Sequence, residues 1–349
     1  MSSGGGIEIP ENAGKERSKS RVYRIKRVLV WALAMVASLY TGLIVAYYLG
    51  DAVRGNDSWI VDMAGYILPV LFVPTILLLP LALLSRSKVV ISIAAIPLVL
   101  FLLTYGSLFI PPGTAGEAQS PFTVMTFNVL DLNEQYDDIE EQITNYDPDI
   151  LGLHELEPHM MSALEELLRS RYPYSEIEPG RGIFSRYPIE QYSAFQLAAD
   201  GHWAQEVILD VDGHELALLN VHPRSPRMVY GSNGLPSGFA TEKRDRDFAD
   251  LISRIAGHDG ALIVMGDMNL SDRQDQYGEL REYLLDVHRK RGWGLGFTRT
   301  NYPELGLPTW RIDYIFYSPE LIALTAEVGD FAGSDHRPVI ARIGFSEGE

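Results

Sequence analysis

Three uncharged, strongly apolar stretches dominate the first third of the chain: residues 28–49, 63–84 and 89–110. About 20 apolar residues at 1.5 Å rise cross a ~30 Å hydrocarbon layer, so each stretch is long enough to be a membrane helix. Three such stretches close together argue against a soluble core. The first is too long and too far from the start to be the apolar core of a signal peptide. Pro69, Pro74 and Pro80 interrupt the second, which predicts a kinked span. Beyond Pro121 the pattern changes. Alternating or short apolar runs predict strands over 122–130, 149–156, 182–185, 207–211, 215–221, 261–265, 312–317 and 339–343. Helical spacing predicts helices over 137–146, 160–168 and 243–255, the last with Phe248, Leu251, Ile252 and Ile255 inward. Interleaved strands and helices of this kind predict a layered α/β (α+β) domain, with hairpin-like pairs pointing to more than a simple parallel sheet.

Charge divides the chain at the same place. Residues 1–120 carry 10 Lys/Arg and 7 Asp/Glu, leaving 19 and 39 for the rest. The basic run Lys15, Arg17, Lys19, Arg21, Arg24, Lys26 and Arg27 precedes the first span, and Arg86 and Lys88 lie between the second and third. The positive-inside rule then predicts a cytoplasmic N-terminus and an extracytoplasmic second half. The expected organisation is a disordered basic tail (1–27), three transmembrane helices (28–110), a Pro/Gly/Ser/Ala linker (111–120) and a catalytic domain (121–349). Ten linker residues reach about 30 Å at most, which would keep that domain near the bilayer. The acidic second half disfavours broad electrostatic binding of nucleic acid. The absence of cysteine excludes disulfides, thiolate metal sites and cysteine nucleophiles.

Polar residues gather where the predicted strands end: Asn128 in TFNV, Glu155 in DILGLHE, His222 in LLNVH, Asp267 and Asn269 in VMGDMN, Asp313 in RIDYIF, and Asp335 and His336 in SDHRP. Taken singly, several have ordinary readings: Asn128 as a turn residue, Glu155 as a surface carboxylate, the histidines as surface or satisfied core groups. Asp313 within a strand needs a partner if buried. Taken together, the carboxylate and amide oxygens are hard ligands that favour Mg²⁺ or Mn²⁺. Together with His222 and His336 they could supply a proton acceptor and phosphoryl-oxygen donors, as phosphoester cleavage requires.

In the order TFNV, PDILGLHE, GIFSRYPI, LLNVH, GDMN, RIDYIF, SDHRPV, these stretches resemble the endonuclease/exonuclease/phosphatase superfamily over residues 126–339. The layout is similar to that of bacterial members with three N-terminal transmembrane helices. The resemblance implies a four-layer sandwich of two mixed β-sheets flanked by helices, and a metal-dependent hydrolase acting on phosphoester bonds. It implies Glu155 as the main metal carboxylate with Asn128 and Asp335 beside it. Asp267 would orient or deprotonate the attacking water, Asn269 would steady it, and His222 would donate to a phosphoryl oxygen. His336 would contact the scissile phosphate with Asp313 behind it. The family usually has Gln before the metal Glu; here His154 stands in that place and could retune the metal's surroundings or contact substrate.

Two long loops, 223–241 and 292–310, could read substrate. The first holds Arg224 and Arg227, candidates for a second phosphate. The second holds Trp293, Phe297, Tyr302 and Trp310. Arg186 reads as structural. The expected substrate is a lipid-linked phosphate at the outer membrane face. A tethered nuclease is the alternative, and a silent binding module is disfavoured by the intact polar set. No protein partner can be inferred.

Overall fold

The computed structural model describes residues 11–300 and 309–346. Residues 1–10 of the expected tail, Tyr302 and residues 347–349 lie outside them. The chain forms two compact units, Met1–Leu49 with Pro69–Thr104, and Gly50–Leu68 with Tyr105–Glu349.

The first unit, and the Gly50–Leu68 stretch of the second, are helical. Helix α1 (Glu11–Arg54) takes in the basic residues expected in a disordered tail. Lys, Arg, Glu and Ala are good helix formers and extend a helix once an apolar stretch has nucleated it. The second apolar stretch is not one straight helix. It is divided between α2 (Trp59–Leu71) and α3 (Thr75–Ser85), bent by 59°. Pro74, at the break, cannot donate a backbone hydrogen bond into the preceding turn. Helix α4 (Lys88–Tyr105) follows. Among the described residues two helical segments, Arg21–Arg54 and Lys88–Phe109, are long and apolar enough to cross a membrane, and the bent pair adds a third if it counts as one span. Leu39, Leu43, Leu77, Leu84 and Leu103 are exposed on these helices, whereas Ala37, Ala82, Val90 and Ala94 form a buried seam. Small residues inside and large apolar ones outside is a pattern suited to lipid.

The second unit contains the sandwich. Its first part runs β1 (Gln119–Asn128), α5 (Tyr136–Tyr146), β2 (Ile150–His154), α6 (Pro158–Leu168), β3 (Tyr174–Glu178) and β4 (Arg181–Ser185). Then come β5 (Ile189–Gln196), β6 (Trp203–Val211), β7 (His214–Asn220), the hairpin β8 (Arg227–Tyr230) and β9 (Pro236–Ala240), and α7 (Glu242–Ala256). It ends with β10 (Leu262–Asp267), α8 (Asp275–Tyr283), β11 (Leu285–Asp286), α9 (Val287–Arg291), β12 (Asp313–Tyr317), β13 (Leu321–Val328) and β14 (Val339–Phe345). Among the described residues, one six-stranded sheet has the order β13-β14-β1-β2-β4-β3 and the other β11-β12-β10-β7-β6-β5. Each is mixed, with one parallel pair at its centre, β1 with β2 and β7 with β10.

Four layers follow from the alternation of side chains. Val124, Ile150, Leu218, Ile263 and Ile315 face the space between the sheets. Met125, Phe127 and Leu151 point the other way, onto α5 and α6 through Ile139, Ile143, Met160 and Leu164. Ala217, Leu219 and Val264 likewise face α7 and α8 through Phe248, Leu251 and Leu280. Because the period is two, the same phase carries Asn128, His154, Asn220, Asp267 and Asp313 to the inner faces. All five stand at strand ends. The parallel pairs bring the carboxyl ends of β1, β2, β7 and β10 to one rim. The antiparallel neighbours bring the first residue of β12, paired across to Asp267, and the approach to β14 to the same rim.

Candidate active site

At this rim the inter-sheet core gives way to polar groups. Asn128, the last residue of β1, is fully buried, and its Nδ2 donates to Glu155 Oε1 at 2.9 Å and to Asp267 Oδ2 at 3.1 Å. Its Oδ1 accepts from the Leu130 N–H, an Asx-type turn that starts the loop after the strand. Glu155 follows β2 in a left-handed conformation, φ +57°, and the Asp131 N–H donates to its Oε2. Gly266, just before Asp267, has φ +150°, and a Cβ there would lie 1.8 Å from the Val221 carbonyl oxygen. No other residue fits, which explains why glycine introduces this turn.

Two histidines flank Asp267. His222 Nε2 lies 3.5 Å from Asp267 Oδ2 and 4.0 Å from Glu155 Oε1. His336 Nε2 lies 3.6 Å from Asp267 Oδ2, and its Nδ1 meets Asp313 Oδ2 at 2.9 Å. The loop before β14 is locked from behind: the His336 N–H donates to Ser334 Oγ, which donates to the Asn128 carbonyl at 2.7 Å. Burial alone would keep His336 neutral, but the Asp313 and Asp267 carboxylates outweigh it and raise its pKa to about 9. Burial alone would raise Asp267. His336, His222, Arg299 and the Asn269 N–H reverse that and hold its carboxyl below the usual range. A buried carboxylate kept ionised beside a charged imidazole is the arrangement expected where a proton acceptor must coexist with a donor.

The ligand atoms of Glu155, His222 and Asp267 converge within 4.8 Å of one another, and so do those of Asp267, Asp313 and His336. The first group presents the hard carboxylate oxygens of Glu155 and Asp267 with one imidazole nitrogen and fits a divalent cation, while Asn128 turns its Nδ2, not its oxygen, toward the carboxylates. Asp335 belongs to neither group among the described residues. It accepts from Arg299 Nη2 at 3.1 Å and lies 3.8 Å from His336 Nε2. Asn269, φ +48°, donates from Nδ2 to the carbonyl of Pro223, next to His222.

Beside the convergent carboxylates opens a cavity of about 470 Å³, walled by Glu155, His154, His222, His202, Trp203 and Arg181 among others. Among the described residues neither ring nitrogen of His154 has a hydrogen-bond partner, and burial next to His222 pushes its pKa down to about 3. It is therefore a neutral imidazole at the cavity floor.

The rim thus brings together Asn128, His154, Glu155, His222, Asp267, Asn269, Asp313, Asp335 and His336. It does not bring in Arg224 or Arg227. Arg224 is buried and turned away, with Nε and Nη2 on the Asp247 carboxylate at 3.0 and 2.6 Å and Nη1 on the Asp200 carbonyl. The expected second-phosphate contact is replaced by a tie between the segment after β7 and α7. Arg227 is exposed at the start of the β8–β9 hairpin. Besides Arg181 in the cavity wall, an arginine that does reach the rim is Arg299, which stacks on Trp310 (5.4 Å to the ring centre) and pairs with Asp335. The aromatic content of loop 292–310 marked its neighbourhood, but nothing in the local sequence singled out Arg299 itself.

A sequence profile described as the Endonuclease/Exonuclease/phosphatase family matches residues 125–336, from β1 to His336. The chain belongs to the endonuclease/exonuclease/phosphatase family. Members are metal-dependent hydrolases acting on phosphoester bonds, and this chain is one. A family protein from Bacteroides thetaiotaomicron superposes with a TM-score of 0.51 at 19% identity, over 66% of this chain and 97% of that one. Truncated Caenorhabditis elegans TDP2 does so at 0.52 and 18% identity, over 65% and 98%. SmcL does so at 0.52 and 15% identity, over 64% and 98%. At these identities the likeness concerns the fold. Among curated protein sequences, none matches this one.

Proposed function

We propose that the chain is a membrane-anchored, Mg²⁺- or Mn²⁺-dependent phosphohydrolase or phosphodiesterase that acts on a lipid-linked phosphate at the extracytoplasmic face. The observation carrying this reading is that apolar helices with outward leucines and a phosphoester-hydrolase site occur in one chain. The acidic balance after residue 120 supports a substrate other than a long polyanion. The basic residues 15–27 support the orientation.

In this reading Glu155 would hold the ion while the Asn128 amide fixes the Glu155 and Asp267 carboxylates, and when bound the ion would offset charge on the phosphoryl oxygens. Asp267 takes the proton of the attacking water, which Asn269 helps to place. His222 donates to a phosphoryl oxygen. His336, kept charged by Asp313, donates to the scissile phosphate. Asp335 and Arg299 form the outer edge of the His336 side, from which Arg299 can also reach a substrate phosphate.

The test is turnover by the full chain in detergent with Mg²⁺ on a panel of polyprenyl pyrophosphate, phospholipid, bis-p-nitrophenyl phosphate and plasmid. Turnover of a lipid phosphate is expected. Efficient plasmid nicking without lipid turnover would replace the reading by a tethered nuclease. A C-terminal reporter active only outside the cytoplasm is expected in parallel.

A further inference from the structure

The turn Asp267–Asn269 carries the proposed proton acceptor, and its backbone is held at one end by a residue far away in sequence. Asn269 is in the left-handed region and almost fully buried. Its N–H donates to Asp267 Oδ1 at 2.9 Å and its Nδ2 to the Pro223 carbonyl. Its own carbonyl accepts from the hydroxyl of Tyr66 at 2.6 Å. Tyr66 lies on α2, within the stretch Gly50–Leu68 that belongs to the same unit as the sandwich.

The direction of that hydrogen bond is imposed. Arg244 Nη1 lies 2.8 Å from the Tyr66 oxygen. A guanidinium can only donate, so the single hydroxyl proton is left for the Asn269 carbonyl. Arg244, 1% exposed, is itself held by Asp62 Oδ2 at 3.2 Å and Asp245 Oδ1 at 2.9 Å. The Tyr66 ring is enclosed edge-on by Phe239 and Trp310. Two more bonds tie the same stretch to the segment after the turn, Ser271 Oγ to the Gly65 carbonyl and Gln274 Nε2 to the Asp62 carbonyl.

We infer that Tyr66, oriented by Arg244 and Asp62, is a positioning residue for the reaction: it sets the backbone of Asn269 and thereby the place of the Asp267 carboxylate. The inference rests on the reading of Asp267 as the proton acceptor. It also makes part of α2, from Asp62 to Tyr66 at the start of the second apolar stretch, a working part of the site, well before residue 121. Removing the hydroxyl leaves the Asn269 carbonyl buried without its partner, so a conformation that non-glycine residues rarely adopt loses one of its restraints. Small displacements of a reacting group carry large rate penalties.

The test uses the full chain in detergent, with bis-p-nitrophenyl phosphate and saturating Mg²⁺. Tyr66→Phe keeps the ring and removes only the hydroxyl. Its kcat is expected to fall about 10-fold with KM within about two-fold. Asp51→Asn, which cuts the Asp51–Arg273 ion pair of the same connecting stretch without touching the turn, is expected to stay within about two-fold. In an Asp267→Asn background, Tyr66→Phe is expected to change the residual rate by less than about two-fold, because the group it positions is gone. A Tyr66→Phe enzyme within two-fold of wild type, or an equal loss in both backgrounds, would overturn the inference. Full activity of Asp267→Asn alone would instead remove the reading on which it rests.

Discussion

At the scale of single residues, the rim separates groups that do chemistry from groups that hold them. Glu155 and Asp267 converge with His222 on one point, so neither can be replaced by a neighbour. Glu155→Ala and Asp267→Ala are each expected to lower kcat by at least about 100-fold while the cooperative unfolding transition persists. Wild-type turnover in either, measured at saturating Mg²⁺, would dismiss the assignment. His336 offers a finer test. Its pKa near 9 comes from Asp313 and Asp267 working against burial. A charged His336 is thus present below about pH 9 in the native enzyme. In Asp313→Asn the imidazole loses its main partner and charges only at lower pH. The alkaline limb of the kcat/KM profile should therefore move to lower pH, with a larger deficit at pH 8 than at pH 6. An unshifted limb would mean that His336 does not act in its charged form. Asn128, Glu155, Asp267, Asp313 and His336 could all be picked out from the chain because each interrupts or ends an apolar run or, for His336, precedes one. Arg299 could not, since its role comes from Asp335 and Trp310, which meet it only after folding.

At the scale of elements, the parity of strand positions decides much of the site. Asn128 shares its phase with Val124, and Asp267 with Ile263, so both must face the interior once those apolar residues do. The central strands have long, fully buried apolar runs and could be read from the pattern. The edge strands could not. Ile189–Gln196 is mostly half-exposed, and Leu321–Val328 is rich in Leu, Ala and Glu, which suit a helix equally well. Pairing with β6 and β14 makes them strands. The loop 223–241 likewise contains a short hairpin where Gly, Ser and Pro suggested none. Arg224 links that loop to α7 through Asp247, which is itself fully buried. Breaking a buried pair from one side strands the other charge, so Arg224→Ala should cost about 3 kcal/mol or more in a denaturant titration. A variant of native stability with a raised KM would restore Arg224 to substrate binding.

At the scale of the whole molecule, the two units bury different things. One presents leucines outward around a seam of small residues, and the other packs two sheets between helices. The second unit also buries two neutral histidines. Burial holds His154 near a pKa of about 3 and His288 near about 4, each below the ordinary value of 6.5. Below pH 6.5 the unfolded chain binds protons that the native state refuses, so stability must fall with pH. The contribution is complete above about pH 6.5 and is lost progressively down to the folded values, by about 1.4 kcal/mol per pH unit for each histidine. His154→Gln should reduce the slope of stability against pH between 6 and 4. An unchanged slope would show that His154 is not buried as a neutral group.

What the sequence by itself determined is the local part of this: which segments are apolar enough for lipid, which face each central strand buries, and which polar side chains stand at strand ends. Those properties depend on spacing along the chain, and spacing is visible without a fold. Tertiary structure alone decided the partners. It turned Arg224 away and brought Arg299 in. It built Asp62 and Tyr66 into the sandwich unit beside Arg244 and Asn269. These contacts join residues about two hundred positions apart, and no periodicity along the chain encodes which buried donor will find which buried acceptor.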